Sequence, residues 1–209
     1  TAMPAALAPV LKCYADLVAP YLAMQRYPGS PLLAADVLRR NDHLHLCELH
    51  PQDFAWLEAS CKDDRRIRVE RSDGYQCALA LLPPAQKRAV VLIDPSYEVK
   101  EDYQRTVRLM NALYQRMPSV QMLLWYPVVY RQDITRMIAS MRHGPMKDVW
   151  QFELGVGPDT DERGMTASGM SVVNPPWSLP DQLRACLPLV QQALAPEQGH
   201  WDVENLIHE

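Results

Sequence analysis

The sequence predicts an α/β protein: a mostly parallel, twisted sheet with helices on both faces. Short apolar runs of strand length alternate with amphipathic segments of helix length, and Pro, Gly, Asp or Ser punctuates most of the junctions. The most apolar run, Val90 to Ile93, has no polar interruption, as a strand buried on both faces requires. With 209 residues, 48% of them hydrophobic and 22% charged, the chain suits one globular domain, and no repeat or long linker divides it.

Leu7, Val10, Leu11, Tyr14, Leu17, Val18 and Tyr21 recur at helical spacing, so Pro4 to Met24 is expected to be a helix. Tyr27-Pro28-Gly29-Ser30-Pro31 stops it, and Ser30 is placed to cap a second helix whose apolar side is Leu32, Leu33, Val37 and Leu38. His43 to Leu49 alternates as a strand, and His50-Pro51 leads into a helix containing Phe54, Trp56, Leu57 and Cys61. A short strand around Ile67 and Val69 ends at Ser72-Asp73-Gly74, before a helix from Tyr75 to Leu82 that Pro83-Pro84 ends. After Val90 to Ile93 come a helix (Tyr103 to Met117), a strand (Val120 to Trp125), a helix (Ile134 to Met141) and a strand (Val149 to Val156). Pro158 to Gly164 reads as a loop, Met170 to Val173 as a last strand and Pro180 to Leu194 as a last helix; Pro196 to Glu209 gives a weak signal.

A net charge of −4 offers no global attraction to nucleic acid, so a polyanion partner would need a local patch. Lys62 to Arg71, with Arg65, Arg66, Arg68 and Arg71, is one candidate, and Arg131, Arg136 and Arg142 are a weaker one. Five scattered cysteines without a C-x-x-C pair suit reduced thiols. No apolar run approaches the roughly 20 residues of a membrane span, and Thr1 onward has no basic, then apolar, leader pattern. A cytoplasmic protein without a membrane is expected, with a monomer favoured.

Three consecutive strand ends carry an acid: Glu48, Asp73 and Asp94. In a parallel sheet such ends lie along one edge, where ligands bind, and a carboxylate there accepts two hydrogen bonds from a ribose diol. Each acid taken singly is more readily a helix cap; three in succession favour a nucleoside-type ligand. Asp94-Pro95-Ser96-Tyr97 also holds what methyl transfer to an exocyclic amine needs: Asp94 and the Pro95 carbonyl as acceptors, and Tyr97 as a stacking surface.

These motifs resemble the class I S-adenosylmethionine-dependent adenine-N6 methyltransferases, whose motif is [D/N]-P-P-[Y/F/W]. More narrowly, YPGSPLLA (Tyr27 to Ala34), ELHPQDF (Glu48 to Phe54), SDGYQ (Ser72 to Gln76), LIDPSYE (Leu92 to Glu98), LLWYPVV (Leu123 to Val129) and RGMTASGMSVVNPPW (Arg163 to Trp177) resemble the RlmJ family, which methylates N6 of an adenine in 23S ribosomal RNA. The resemblance implies a Rossmann-like fold, S-adenosylmethionine as methyl donor and 23S rRNA as partner. It matches Ser30, Glu48, Asp73, Gly74 and Asp94 to positions around the donor, with Glu48 on the ribose and Asp73 and Gly74 facing the adenine. Asp94, Pro95 and Tyr97 match the catalytic positions.

Ser96 stands where the family has a second proline, which restores a backbone N–H and loosens the loop. The family also begins with a segment carrying a glycine-rich D-x-H-A-G-x-G turn that holds the methionine end of the donor; nothing in this chain matches it, so a domain lacking that segment is expected. A nucleic-acid-binding protein without catalysis, or a DNA adenine methyltransferase tied to the use of external DNA, is the alternative. An oxidoreductase lacks any G-x-G-x-x-G. Asn174-Pro175-Pro176-Trp177 fits the general motif by letter, but a catalytic role would need a glycine-rich cofactor turn nearby, and Gly164 to Gly169 has the wrong make-up and follows a polar loop rather than a strand; the segment is read as a rigid turn after the last strand. His43, His45 and Cys47 share a strand face with no second cluster, so no metal is assigned. Trp125 and Trp150 are read as core.

Overall fold

A computed structural model describes residues 11–98, 101–160 and 164–208. Residues 4–10 of the expected first helix, and Arg163, lie outside them. The chain divides into two compact units, the first running to Ala80 and the second starting at Leu81.

The smaller unit contains α1 (Lys12–Ala23), α2 (Gly29–Val37), β1 (Leu44–Cys47), α3 (Pro51–Cys61), β2 (Ile67–Glu70) and, except for its last residue, α4 (Gly74–Leu81). β1 and β2 pair in parallel from Leu44↔Ile67 to Cys47↔Glu70, with α3 as the crossover that parallel pairing demands. His50 caps α3, its ring accepting from the Asp53 N–H at 3.4 Å, and Pro51 takes the first helical position. Ser30 is not a cap: α2 already begins at Gly29, and its N-cap Pro28 supplies no side-chain bond. Arg66 fastens this unit, pairing with Asp64 at 2.5 Å and donating to the Leu38 and Ala35 carbonyls at 2.8 and 3.2 Å. That pairing holds the Asp64 carboxyl down at about 2. Arg68 pairs with Glu70, so half of the expected basic patch is engaged within the protein.

The larger unit contains β3 (Val90–Ile93), α5 (Glu101–Arg116), β4 (Gln121–Val128), α6 (Arg131–Arg142), β5 (Val149–Gly155), β6 (Ala167–Val173), α7 (Leu179–Leu194) and β7 (His200–Ile207). Its sheet has the order β3-β4-β6-β5-β7. β3 and β4 are parallel, β6 is antiparallel to both β4 and β5, and β7 is antiparallel to β5. Thus β3, β4 and β5 point one way and β6 and β7 the other, in a Rossmann-like α/β fold. Successive strand residues face opposite sides. Glu153 of β5 meets Arg131 of α6, while Trp150 meets Arg184 of α7, so helices cover both faces. The core is Met110 and Leu113 of α5, Met122, Leu124 and Tyr126 of β4, and Ile134, Met137 and Met141 of α6, all fully buried.

Two elements differ from expectation. β3 is not buried on both faces: Val90 and Leu92 are 66% and 47% exposed, and only Ile93 is buried. An uninterrupted apolar run reads the same whether or not its second face is covered, and β3 ends the sheet of this unit. The weakly patterned tail is a strand, β7, whose side chains are mostly exposed or half-buried and therefore lack strong alternation.

Two glycines let a polar cluster lie inside this sheet. Gly169 of β6 stands between Tyr126 and Glu153 in register, and a Cβ there would fall inside the Tyr126 ring. Gly155 pairs with His200, whose ring fills the space a Cβ would take and comes within 3.5 Å of Glu153. Gly169→Ala is accordingly expected to destabilise the protein by about 1–3 kcal/mol, as forced overpacking does. Gly157→Ala, where a Cβ meets nothing within 4 Å, should change stability by less than about 0.5 kcal/mol. Urea denaturation checks both, and equal midpoints for the two variants would refute the packing argument.

Candidate active site

In the smaller unit, Glu48 and Asp73 follow the neighbouring strands β1 and β2, so two of the predicted acids share one sheet end. Glu48 is half-buried; its Oε1 accepts the His50 N–H at 2.7 Å, while no hydrogen bond to Oε2 occurs among the described residues. Asp73 does cap its helix: Oδ1 accepts from the Tyr75 N–H at 2.8 Å, and its carbonyl accepts from Gln76 and Cys77. Gly74 lies beside Cys47, where a Cβ would make only ordinary 3.6 Å contact, so the glycine leaves room rather than relieving a clash. Ser30 is exposed in the first turn of α2. Burial and the neighbouring Cys77 thiol push the Cys47 thiol up to about 11, so it stays protonated.

In the larger unit, Asp94 follows β3 directly. The residue as a whole is exposed, yet its carboxyl is partly withdrawn from water, and that burial pushes its pKa above the ordinary value. Pro95 is half-buried and Ser96 exposed. Tyr97 takes a left-handed backbone conformation, φ 53°, which costs energy for a bulky residue and marks a loop held by its surroundings. Its hydroxyl donates to the Trp125 carbonyl at 2.6 Å, and its ring lies 4.6 Å from that of Tyr103 and 6.2 Å from that of Trp125. Tyr103 is buried, donates to the Pro127 carbonyl at 3.0 Å, and has its own hydroxyl pushed up to about 12 by burial, with nearby Asp133 adding to the shift. Trp125 is thus half-buried and engaged with protein rings, as is Trp150, which stacks on Phe152.

Beside these rings an open cavity of about 240 Å³, lined by Tyr103, Gln104, Arg108, Asp133 and Arg136, shares the last two residues with one of about 490 Å³ that reaches Tyr130, Arg131 and Asp159. Arg131 bonds both oxygens of Glu153, at 2.9 and 2.7 Å, and also Asp159 at 2.7 Å. These partners hold its guanidinium charged and keep Asp159 below the ordinary carboxylate range. Arg142 is exposed and pairs with Glu204, whereas Arg136, also exposed, makes a longer 3.4 Å contact to Asp133. Tyr103 and the Glu153 cluster carry no motif of their own in the sequence; β4 runs to Val128, beyond the expected end at Trp125, and Pro127 inside it is the one residue that could have marked this edge. Asn174 has φ 52° and donates to the Pro118 and Val120 carbonyls at 2.8 Å, so Asn174-Pro175-Pro176 serves as a rigid turn. Among the described residues, no three His, Cys, Asp or Glu side chains converge as metal ligands, and no helix is long and apolar enough to cross a membrane.

The family described as "Ribosomal RNA large subunit methyltransferase D, RlmJ" matches residues 1–207. Two curated relatives, both named ribosomal RNA large subunit methyltransferase J, are 46% identical over 89% of the chain in Escherichia coli and 43% identical over 87% in Haemophilus influenzae. The chain spans 67% and 65% of their respective lengths. The crystal structure of protein LPL1258 from Legionella pneumophila superposes with a TM-score of 0.85 at 30% identity, covering 93% of this chain and 73% of that one.

Asp94→Asn tests the withdrawal of that carboxyl from water. Because its folded pKa is raised, the native state holds the proton more tightly than the unfolded chain; the group favours folding at low pH, and this advantage is lost as pH rises from the ordinary value of 3.8 through the folded one. The variant should therefore be slightly more stable than the parent at pH 7, by under about 0.5 kcal/mol after solvent screening, with the gain vanishing near pH 3. Thermal denaturation across that range checks it; a variant less stable at pH 7 would refute it.

Proposed function

Because the chain belongs to the RlmJ family of ribosomal RNA large subunit methyltransferases, we propose that it transfers a methyl group from S-adenosylmethionine to N6 of an adenine in 23S rRNA. The observation that carries this reading is the loop after β3, where an acid, a proline and an anchored aromatic follow one another at the carboxyl end of a parallel strand. We take both units to belong to one methyltransferase domain acting in the cytoplasm, with the smaller one holding the donor and the larger one the target base.

The residues of the smaller unit suit the nucleoside end of the donor. Glu48, oriented through one oxygen by the His50 N–H, turns the other to the ribose hydroxyls. Asp73 and Gly74 face the adenine ring, with Ser30 completing the contacts. When bound, S-adenosylmethionine supplies a methyl made electrophilic by its sulfonium. In the larger unit, the Asp94 carboxylate and the Pro95 carbonyl accept the two amine hydrogens and so aim the N6 lone pair, while Tyr97 stacks on the ring. N6 becomes acidic only as it is methylated, so Asp94 need not be a strong base; its raised pKa suits it to receive the proton that N6 then sheds. The adenine has to leave its stack to enter, which favours a loop or a partly unfolded RNA.

Tritium transfer from labelled S-adenosylmethionine to protein-free 23S rRNA tests the proposal. Asp94→Ala should lower the rate at least about a hundredfold. An Asp94→Ala variant as active as the parent would overturn the mechanism, and RNA binding without any transfer would favour a purely nucleic-acid-binding role. Ser96→Pro, which restores the stiffening second proline, is expected to raise kcat by a few-fold with KM little changed; a fall in kcat would show that the serine N–H contributes to the loop.

A further inference from the structure

Strand β4 outruns its parallel neighbour. The ladder with β3 ends at Ile93↔Leu124, whereas β4 continues from Trp125 to Val128. Residues of a strand turn their hydrogen-bonding groups to alternate sides. Gln121 donates to Ala89 on the β3 side, and Val128 accepts from Thr166 on the β6 side, so the odd-numbered residues from Gln121 onward face β3. Beyond Leu124, the carbonyls of Trp125 and Pro127 therefore point at a neighbour that has ended. Pro127 fits this position because it has no N–H to leave unpaired. The two carbonyls are taken by tyrosine hydroxyls instead: Tyr97 donates to Trp125 and Tyr103 to Pro127.

We propose that this overhang of β4 is a two-carbonyl rail that fixes the catalytic loop, and that Tyr103 is a positioning residue for Tyr97. The inference rests on the reading of Tyr97 as the surface that receives the target base. One hydroxyl holds the edge of the Tyr97 ring and the Tyr103 ring, 4.6 Å away and tilted by 41°, supports it. Tyr103 is itself held by the second rung and by burial in the first turn of α5, so the ring plane of Tyr97 is set by the sheet rather than by the loop. The left-handed backbone at Tyr97 follows: the chain turns back there so that the ring reaches β4.

Tyr97→Phe and Tyr103→Phe each delete one rung and keep the ring. Loss of one such hydrogen bond is expected to give about a tenfold fall in kcat, with KM for 23S rRNA within about twofold, because aim rather than affinity is lost. Chymotryptic cleavage after residue 97 under native conditions provides a readout independent of methyl transfer, since Tyr97→Phe retains an aromatic at the cleavage position. Both variants should be nicked there about tenfold faster than the parent, while other sites in the larger unit are cut at the parental rate. Unchanged nicking at residue 97 in both variants, or a rise matched at every other site, would overturn the rail. If the parent transferred no methyl group, the proposed function would fall, while the cleavage pattern would still decide the rail.

Discussion

The larger unit depends on β4 having every backbone group satisfied. β4 runs through the middle of the buried core, and its two edges meet different neighbours: a short parallel strand on one side and a full-length antiparallel one on the other. The mismatch in length leaves carbonyls that low-dielectric surroundings make costly to abandon. Side chains from the loop after β3 and from the start of α5 meet that need, which ties the candidate catalytic loop to a strand that runs through the core.

The other face of the same strand end carries charge. Glu153 is 3% exposed and would be expensive to bury alone. Arg131 meets it with two parallel bonds, and Tyr126, Gln151 and His200 lie within 3.4 to 3.5 Å. Breaking such a cluster costs far more than an exposed ion pair would, because the remaining carboxylate has nowhere to go. The space for it comes from Gly155 and Gly169, so a segment that looks unremarkable in β6 is constrained by a ring from β4. The start of α6 and the start of the β5–β6 loop are held together through Arg131 and Asp159, beside the cavity that adjoins Tyr103.

Much of this was legible in the residues. Alternation in His43 to Leu49 gave β1, the breaks at His50-Pro51 and Ser72-Asp73-Gly74 gave the ends where Glu48 and Asp73 sit, and Asp94 does follow an apolar parallel strand. What could not be read was whatever depends on a partner far along the chain. Ser30 has the chemistry of a cap, but the start of α2 at Gly29 puts it one residue inside the helix. Tyr103 looks like any aromatic near a helix start until Pro127, 24 residues on, supplies its carbonyl. β7 hides because its polar side chains leave only Leu206 buried, and its stability comes from backbone pairing with β5 that side-chain patterning does not record.

The two units are unequally built. Among the described residues of the smaller one, only Val18, Pro28, Ala35 and Cys61 are buried apolar residues, and its sheet has two strands. A pair of short strands with so little apolar burial sits at the low end of local stability, whatever its charged clips contribute. Ligand occupancy then becomes part of the folding equilibrium: a molecule bound only by the ordered form at a hundred times its dissociation constant adds about 2.7 kcal/mol. A methyl donor held by Glu48, Asp73 and Gly74 would thus do more than supply a reactant, for its concentration would set how much of the chain is in a state able to receive RNA.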